Sequence, residues 1–272
     1  MARPKATRRA SSTNAVRSND PGPLDRYWDQ SRQPLQILVF LLPLVIFYEL
    51  AMLSFLRRAD ATFTNLAHKT LLTLFDAAGI RGLGWYLPGA VLVVVLLVSH
   101  LLSGKRWQVH APTLGGMVVE SAALTLPLLA LGQLVARLQN TVLAAGMDAG
   151  RGAADVAAFD LSGRIAFSVG AGLYEELVFR MLLCNVIHAI VVDVGKASQR
   201  TGVIWAVSIS SVLFMAYHWI GAGPGSSTLV VSAFYLAAGV YFGLLYEWRG
   251  FGIVVAVHAL YDTITVLLMK AA

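Results

Sequence analysis

The chain has 272 residues, 57% hydrophobic and only 13% charged, against roughly 45–50% and 25% in ordinary globular proteins. A soluble domain so poor in charge would expose large apolar patches. The composition therefore argues against a water-soluble enzyme, a disordered protein or a disulfide scaffold, and for a membrane protein.

The net charge of +6 sits mostly at the start. Residues 1–33 carry seven basic side chains (Arg3, Lys5, Arg8, Arg9, Arg17, Arg26, Arg32) and three acids (Asp20, Asp25, Asp29), seven minus three, or +4. A basic, Ser-rich, non-periodic segment before an apolar span reads as a disordered cytoplasmic tail facing anionic lipid, not as a nucleic-acid arm. Gln36 to Leu56 follows as a first spanning helix, with a kink expected at Pro43. Thr62 to Ile80 mixes leucines with His68, Lys69 and Asp76 and reads as an interfacial helix. Gly84 to Leu102 is a second span, and Gly116 to Val135 a third despite Glu120 and Pro127.

A Gly/Ala/Asp-bearing stretch, Asn140 to Gly163, separates this half from a denser one. Apolar segments then run over Ile165–Val192, Val203–Ile220, Thr228–Tyr246 and Gly252–Met269. At 1.5 Å per residue each can cross a hydrocarbon core of roughly 30 Å. The expected fold is thus all-α, a polytopic transmembrane bundle of about seven spans plus the interfacial helix. It divides into the tail (1–33), N-terminal membrane helices (34–160) and a denser helical core (161–272). With the N-terminus inside, twelve basic residues fall in the inner regions and eight in the outer ones. That bias places a multi-pass protein in the cell membrane with a cytoplasmic N-terminus. The single Cys184 permits no intrachain disulfide.

Charged side chains near the bilayer centre cost about 2.5–3.5 kcal/mol each on insertion scales, so their clustering is informative. The fourth span carries Glu175, Glu176 and Arg180, the fifth Phe214 and His218, and the seventh His258 and Asp262. Glu176 and Arg180 stand one turn apart and can pair, as can His258 and Asp262, with Thr265 extending that stripe. Glu175 lies 100° round from Glu176 and is free to face another helix. Ser168 and Gly172 would let a neighbour approach closely, and Gly239 and Gly243 offer a similar surface. Each residue alone is more often a packing contact than a catalytic group. Together they supply a carboxylate base, two imidazoles and a polar partner for an oxyanion, which is what hydrolysis needs.

At these residues the chain resembles the CPBP family (CAAX protease and bacteriocin-processing), which includes the type II CAAX prenyl endopeptidases. The family pattern is Glu-Glu-x-x-x-Arg, Phe-x-x-x-His and His-x-x-x-Asn or a similar polar residue. Here Glu175, Glu176 and Arg180, then Phe214 and His218, then His258 and Asp262 match it, over roughly Ser162 to Leu268. The resemblance implies an intramembrane endopeptidase acting on a membrane-associated protein or peptide. Glu175 would activate water with His218 assisting, and His258 and Asp262 would stabilise the oxyanion. Glu176 and Arg180 would be supporting groups. Asp262 departs from the Asn usual in the prenyl-endopeptidase branch. An ionised Asp donates no hydrogen bond, so it is either protonated, an acceptor that orients His258, or a metal ligand. No cofactor is favoured, because the HExxH pattern is missing; a zinc ion, if bound, would take Glu175, His218, His258 and Asp262.

Other features are set aside. Glu49 is expected to reach the interface near Arg57 and Arg58, and Glu120 to border a water-filled cavity if it has a functional role. His188 is expected to face elsewhere, Cys184 to pack, and Trp28, Trp85, Trp107 and Trp248 to mark interfaces. A proton- or metal-coupled carrier and a non-catalytic scaffold are the alternative functions.

Overall fold

The computed structural model describes residues 22–58, 61–62, 66–77, 79, 87–139, 160–222 and 229–271. The tail before residue 22, most of the expected separator and Trp85 lie outside these residues. In chain order the elements are α1 (Pro23–Ser31), α2 (Pro34–Ala51), α3 (Leu66–Ala77), α4 (Leu87–Ser103), α5 (Ala111–Gln139), α6 (Leu161–Val194), α7 (Gln199–Ala222), α8 (Leu229–Arg249) and α9 (Phe251–Ala271). A π-helical turn, Met52–Leu56, extends α2 into a two-residue antiparallel ladder, β1 (Arg57–Arg58) with β2 (Ala61–Thr62). The class is all-α.

Among the described residues six helices are long and apolar enough to cross a membrane, namely α2 and α5 to α9. The expected second span is the shorter α4, whose apolar part is Pro88–Ser103. The chain is a multi-pass membrane protein. Pro43 and Pro127 lie inside α2 and α5.

α9 is the central helix. Its apolar window is 72% buried, against 39% at most for the other spans. Every residue from Phe251 to Ala259 is buried. Gly250 makes this possible: at φ +83° it is the left-handed residue that ends α8 and turns the chain directly into α9. Gly172 brings α6 close to α9, because a Cβ there would lie 2.7 Å from the Ala259 backbone nitrogen. Gly239 and Gly243 likewise seat α8 on Ser211 and Val207 of α7. Asp160 caps α6 by accepting from the Gly163 N–H at 2.9 Å and from the Ser162 hydroxyl at 2.8 Å. These bonds, the Gly163 one foremost, hold its carboxyl below the usual range.

One expectation needs correction. Residues 23–31, read as part of a disordered tail, form α1. Pro23 opens the helix, and Gly22 donates its N–H to Asp25 at 3.1 Å. The helix is held by a buried polar cluster that composition does not reveal. Arg249 pairs with Glu120 of α5 through Nε and, at 2.7 Å, through Nη2. It also donates to Ser31 Oγ at 3.0 Å and lies 3.8 Å from the Trp28 ring centroid. Tyr27 donates to the same Glu120 carboxylate at 2.5 Å. Burial first, then that carboxylate, push the Tyr27 phenol above its ordinary value and keep it a donor. Glu120 is therefore the anchor of α1, not a cavity residue.

Removing one member of a buried ion pair leaves the other uncompensated, at a cost of about 3–5 kcal/mol. Glu120→Ala is expected to lower the unfolding temperature of the detergent-solubilised protein and to expose α1 to limited proteolysis. Glu120→Gln, which still accepts from Tyr27, should be milder on both readouts.

Candidate active site

α6 supplies the carboxylates. It is α-helical to Glu176 and then π-helical over Leu177–Cys184. Such widenings are frequent at functional sites. The wider turn still keeps Glu176 and Arg180 on one side: Arg180 Nε lies 3.2 Å from Glu176 Oε2, and both side chains are fully buried. Arg180 Nη2 donates to the Gly239 carbonyl of α8 at 3.1 Å. Its guanidinium stands 4.5 Å from the Phe214 ring and 5.3 Å from the Phe242 ring, a favourable arrangement for a desolvated cation.

The second oxygen of Glu176 holds the seventh expected span. His258 Nδ1 lies 2.7 Å from Glu176 Oε1, so it donates to the carboxylate. This turns His258 Nε2 toward Asp262 Oδ2 at 3.5 Å and Glu175 Oε2 at 3.9 Å. The ring stacks on Phe242, with centroids 4.6 Å apart and planes 16° from parallel. His218 is fixed in a comparable way. Its Nδ1 donates to the Phe214 carbonyl one turn earlier at 2.9 Å, and its ring stacks on Tyr235 at 4.1 Å. Its Nε2 then faces Glu175 Oε2 at 3.7 Å. The spacing Phe-x-x-x-His thus has a local meaning, since the Phe214 carbonyl sets the imidazole tautomer.

The residues of the three motifs converge here. Glu175, His218, His258 and Asp262 line one small cavity with Leu128, Phe214, Phe234, Tyr235, Ala238, Phe242 and Tyr261. It offers about 20 Å³ to water, enough for a single molecule. Glu175 Oε2 is buried without a hydrogen-bond partner of its own, while Oε1 accepts from Tyr217 at 3.3 Å. A much larger groove of about 600 Å³ lies between α2, α5, α6 and the opposite side of α9. It is apolar and holds none of these titratable groups.

Residues 158–264 match one family model. It is described as Type II CAAX prenyl endopeptidase Rce1-like. This segment is consistent with the CPBP family, covers about two-fifths of the chain and contains all three motifs. Comparison with curated proteins and with solved structures finds no match. The Rce1-like segment supports a CAAX-protease-type intramembrane peptidase. Among the described residues no group of three or more His, Cys, Asp or Glu side chains is arranged to hold a metal ion.

Several residues of the site escaped the sequence reading. Tyr217 precedes His218 and bonds Glu175; Tyr235 and Phe242 are the stacking platforms; Ala238 lines the cavity. Tyr235, Ala238, Gly239 and Phe242 recur at i, i+3, i+4 and i+7, one helix face, which was the available signal. Thr265, expected to extend the His258–Asp262 stripe, is buried and donates to the Tyr261 carbonyl. Glu49 turns inward to accept from Tyr174 at 2.9 Å. Cys184 packs against Ala206, and His188 abuts Gly202 away from the cavity.

Arg180→Met would leave Glu176 with His258 as its only counter-charge. The expected outcome is a folded protein whose peptidase activity falls about 10–100-fold, the usual loss when a supporting partner is removed. Circular dichroism alongside turnover checks it; unchanged turnover would mean that the pair serves packing alone.

Proposed function

We propose that the chain is an intramembrane endopeptidase in which Glu175 activates water against a peptide bond of a membrane-associated protein or peptide. The observation that supports this best is the water-sized space between Glu175 Oε2, His218 Nε2, His258 and Asp262 inside an apolar bundle. Water in that space would donate one hydrogen to Glu175 and the other to His218, whose Nε2 lone pair is free because Nδ1 carries the proton.

In the first step Glu175 takes a proton from water as the oxygen bonds to the scissile carbonyl carbon. The carbonyl π electrons move to its oxygen, and the resulting oxyanion is met by His258 Nε2–H, the imidazolium being held by Glu176 at Nδ1. In the second step the oxyanion electrons re-form the carbonyl and the carbon–nitrogen bond breaks. Glu175 returns its proton to the leaving nitrogen, giving an amine and a carboxylic acid, whose remaining proton passes to the amine. Asp262, 3.5 Å from His258 Nε2, accepts that N–H before attack and so orients the ring, and releases it to the oxyanion as the intermediate forms. This is the most economical of its three roles, because it requires neither a protonated acid nor a metal.

The decisive experiment compares wild type with Glu175→Gln, His218→Ala and His258→Ala, each purified from membranes. Each substitution is expected to reduce cleavage about 10²–10⁴-fold, the usual contribution of a general base or oxyanion donor. Full activity in Glu175→Gln would sink the mechanism, and ion uptake into liposomes without peptidase activity would favour a carrier. Asp262→Asn keeps an acceptor and should retain most of the activity, whereas Asp262→Ala should not.

The reading runs without a metal. Activity is expected to survive o-phenanthroline and dialysis against EDTA. Loss of cleavage restored by zinc would replace the glutamate mechanism with a metal-assisted one.

A further inference from the structure

We propose that the first turn of α3 is a working part of the active site, with Tyr217 as the positioning residue through which it acts on Glu175. The proposal rests on the hydrolase reading above. α3 was expected only as an interfacial helix, and none of its residues belongs to a motif.

Two observations bring it to the site. Tyr217 donates its hydroxyl hydrogen to Glu175 Oε1 at 3.3 Å, and the Tyr217 hydroxyl oxygen itself accepts from the backbone N–H of Ala67. That N–H is one of the first four of a helix, which have no partner within the helix itself. The next residue, His68, is fully buried. Its Nδ1 lies 2.8 Å from the Tyr48 hydroxyl, and its ring centroid 4.7 Å from that of Tyr174. Tyr174 in turn donates to Glu49 of α2. Tyr174 immediately precedes Glu175, and Tyr217 immediately precedes His218. The first turn of α3 is therefore seated on the two tyrosines adjacent to the base and its assisting imidazole.

The consequence is a division of labour within one carboxylate. Tyr217 holds Oε1, so the carboxylate plane is set and Oε2 is the oxygen presented to His218 and His258. Without the hydroxyl, Glu175 can rotate about its terminal bond, and its lone pair loses aim at the water. Because the hydroxyl is itself oriented by Ala67, displacement of α3 should have the same effect as removal of the hydroxyl. The effect belongs to the chemical step, since neither Tyr217 nor Ala67 lines the small cavity.

The test uses the full chain in nanodiscs. New protein termini are first mapped in membranes of cells carrying wild type or Glu175→Gln, and a synthetic peptide spanning the most abundant Glu175-dependent terminus serves as probe. Tyr217→Phe deletes the hydroxyl. Ala67→Pro deletes the N–H in the first helical turn, where proline is tolerated. Each is expected to lower kcat about 10-fold with KM unchanged, because a misplaced group slows chemistry without weakening binding. The double variant should also lose about 10-fold, not 100-fold, because both changes remove one linkage. Wild-type kcat in Tyr217→Phe, or additive losses in the pair, would overturn the proposal and leave the hydrolase reading standing. If Ala67→Pro does not fold, Tyr217→Phe alone decides. Finding no Glu175-dependent terminus would overturn both.

Discussion

Glu176 divides its two carboxylate oxygens between Arg180 on its own helix and His258 on α9, and the site is organised around that division. Each of these three groups would be prohibitively unstable alone in an apolar interior, so each is admissible only because the others are present. The pairing has direction as well as charge. Arg180 reaches on to the Gly239 carbonyl of α8, so a single acid ties α6, α8 and α9 at one depth. Glu175, the neighbouring acid, is thereby released from any structural task and can face the cavity with an unpartnered oxygen.

Aromatic rings complete what the charges begin. Phe242 and Tyr235 stack on the two imidazoles, and Phe214 lies under the Arg180 guanidinium while its carbonyl takes His218 Nδ1–H. Rings fix the planes of the histidines without supplying a competing hydrogen bond. The result is that both Nε2 atoms converge on Glu175 Oε2 from different helices, at 3.7 and 3.9 Å. Those separations are too long for direct hydrogen bonds and suit a molecule held between them.

How much of this was legible in the sequence depended on the kind of signal. Charges inside apolar runs are rare and costly, so Glu175, Glu176, Arg180, His218, His258 and Asp262 stood out, and the intrahelical spacings correctly paired Glu176 with Arg180 and His258 with Asp262. Of the seven expected spans, six are long and apolar enough to cross a membrane, and the expected second one is the shorter helix α4. What could not be read was contact across helices. Glu176 serves His258 rather than its own helix alone, Glu49 meets Tyr174, and Glu120 meets Arg249, partners separated by dozens of positions or more. Arg249 follows an apolar span, where a basic residue ordinarily marks a loop, yet it is fully buried. Aromatic positions were silent for another reason. In a chain this apolar, a Tyr or Phe that supports an imidazole looks like any other lipid-facing or core residue.

The two buried polar systems are mechanically connected. Arg249 is locked to Glu120, Ser31 and Trp28, and Gly250 turns straight into α9, so the clamp fixes where α9 begins. His258 follows Phe251 by seven residues, about 10 Å along the axis. Gly172 against Ala259 then stops α9 from sliding on α6, since the contact involves the Ala259 backbone and its rigid Cβ and has no flexible side chain to yield. The start of α9 is set at one end and its register in the middle. With both constraints in place, His258 can meet Glu176 at 2.7 Å only at one height. The N-terminal helix, which carries no motif, therefore contributes to the geometry of the site through the axial position of a single histidine.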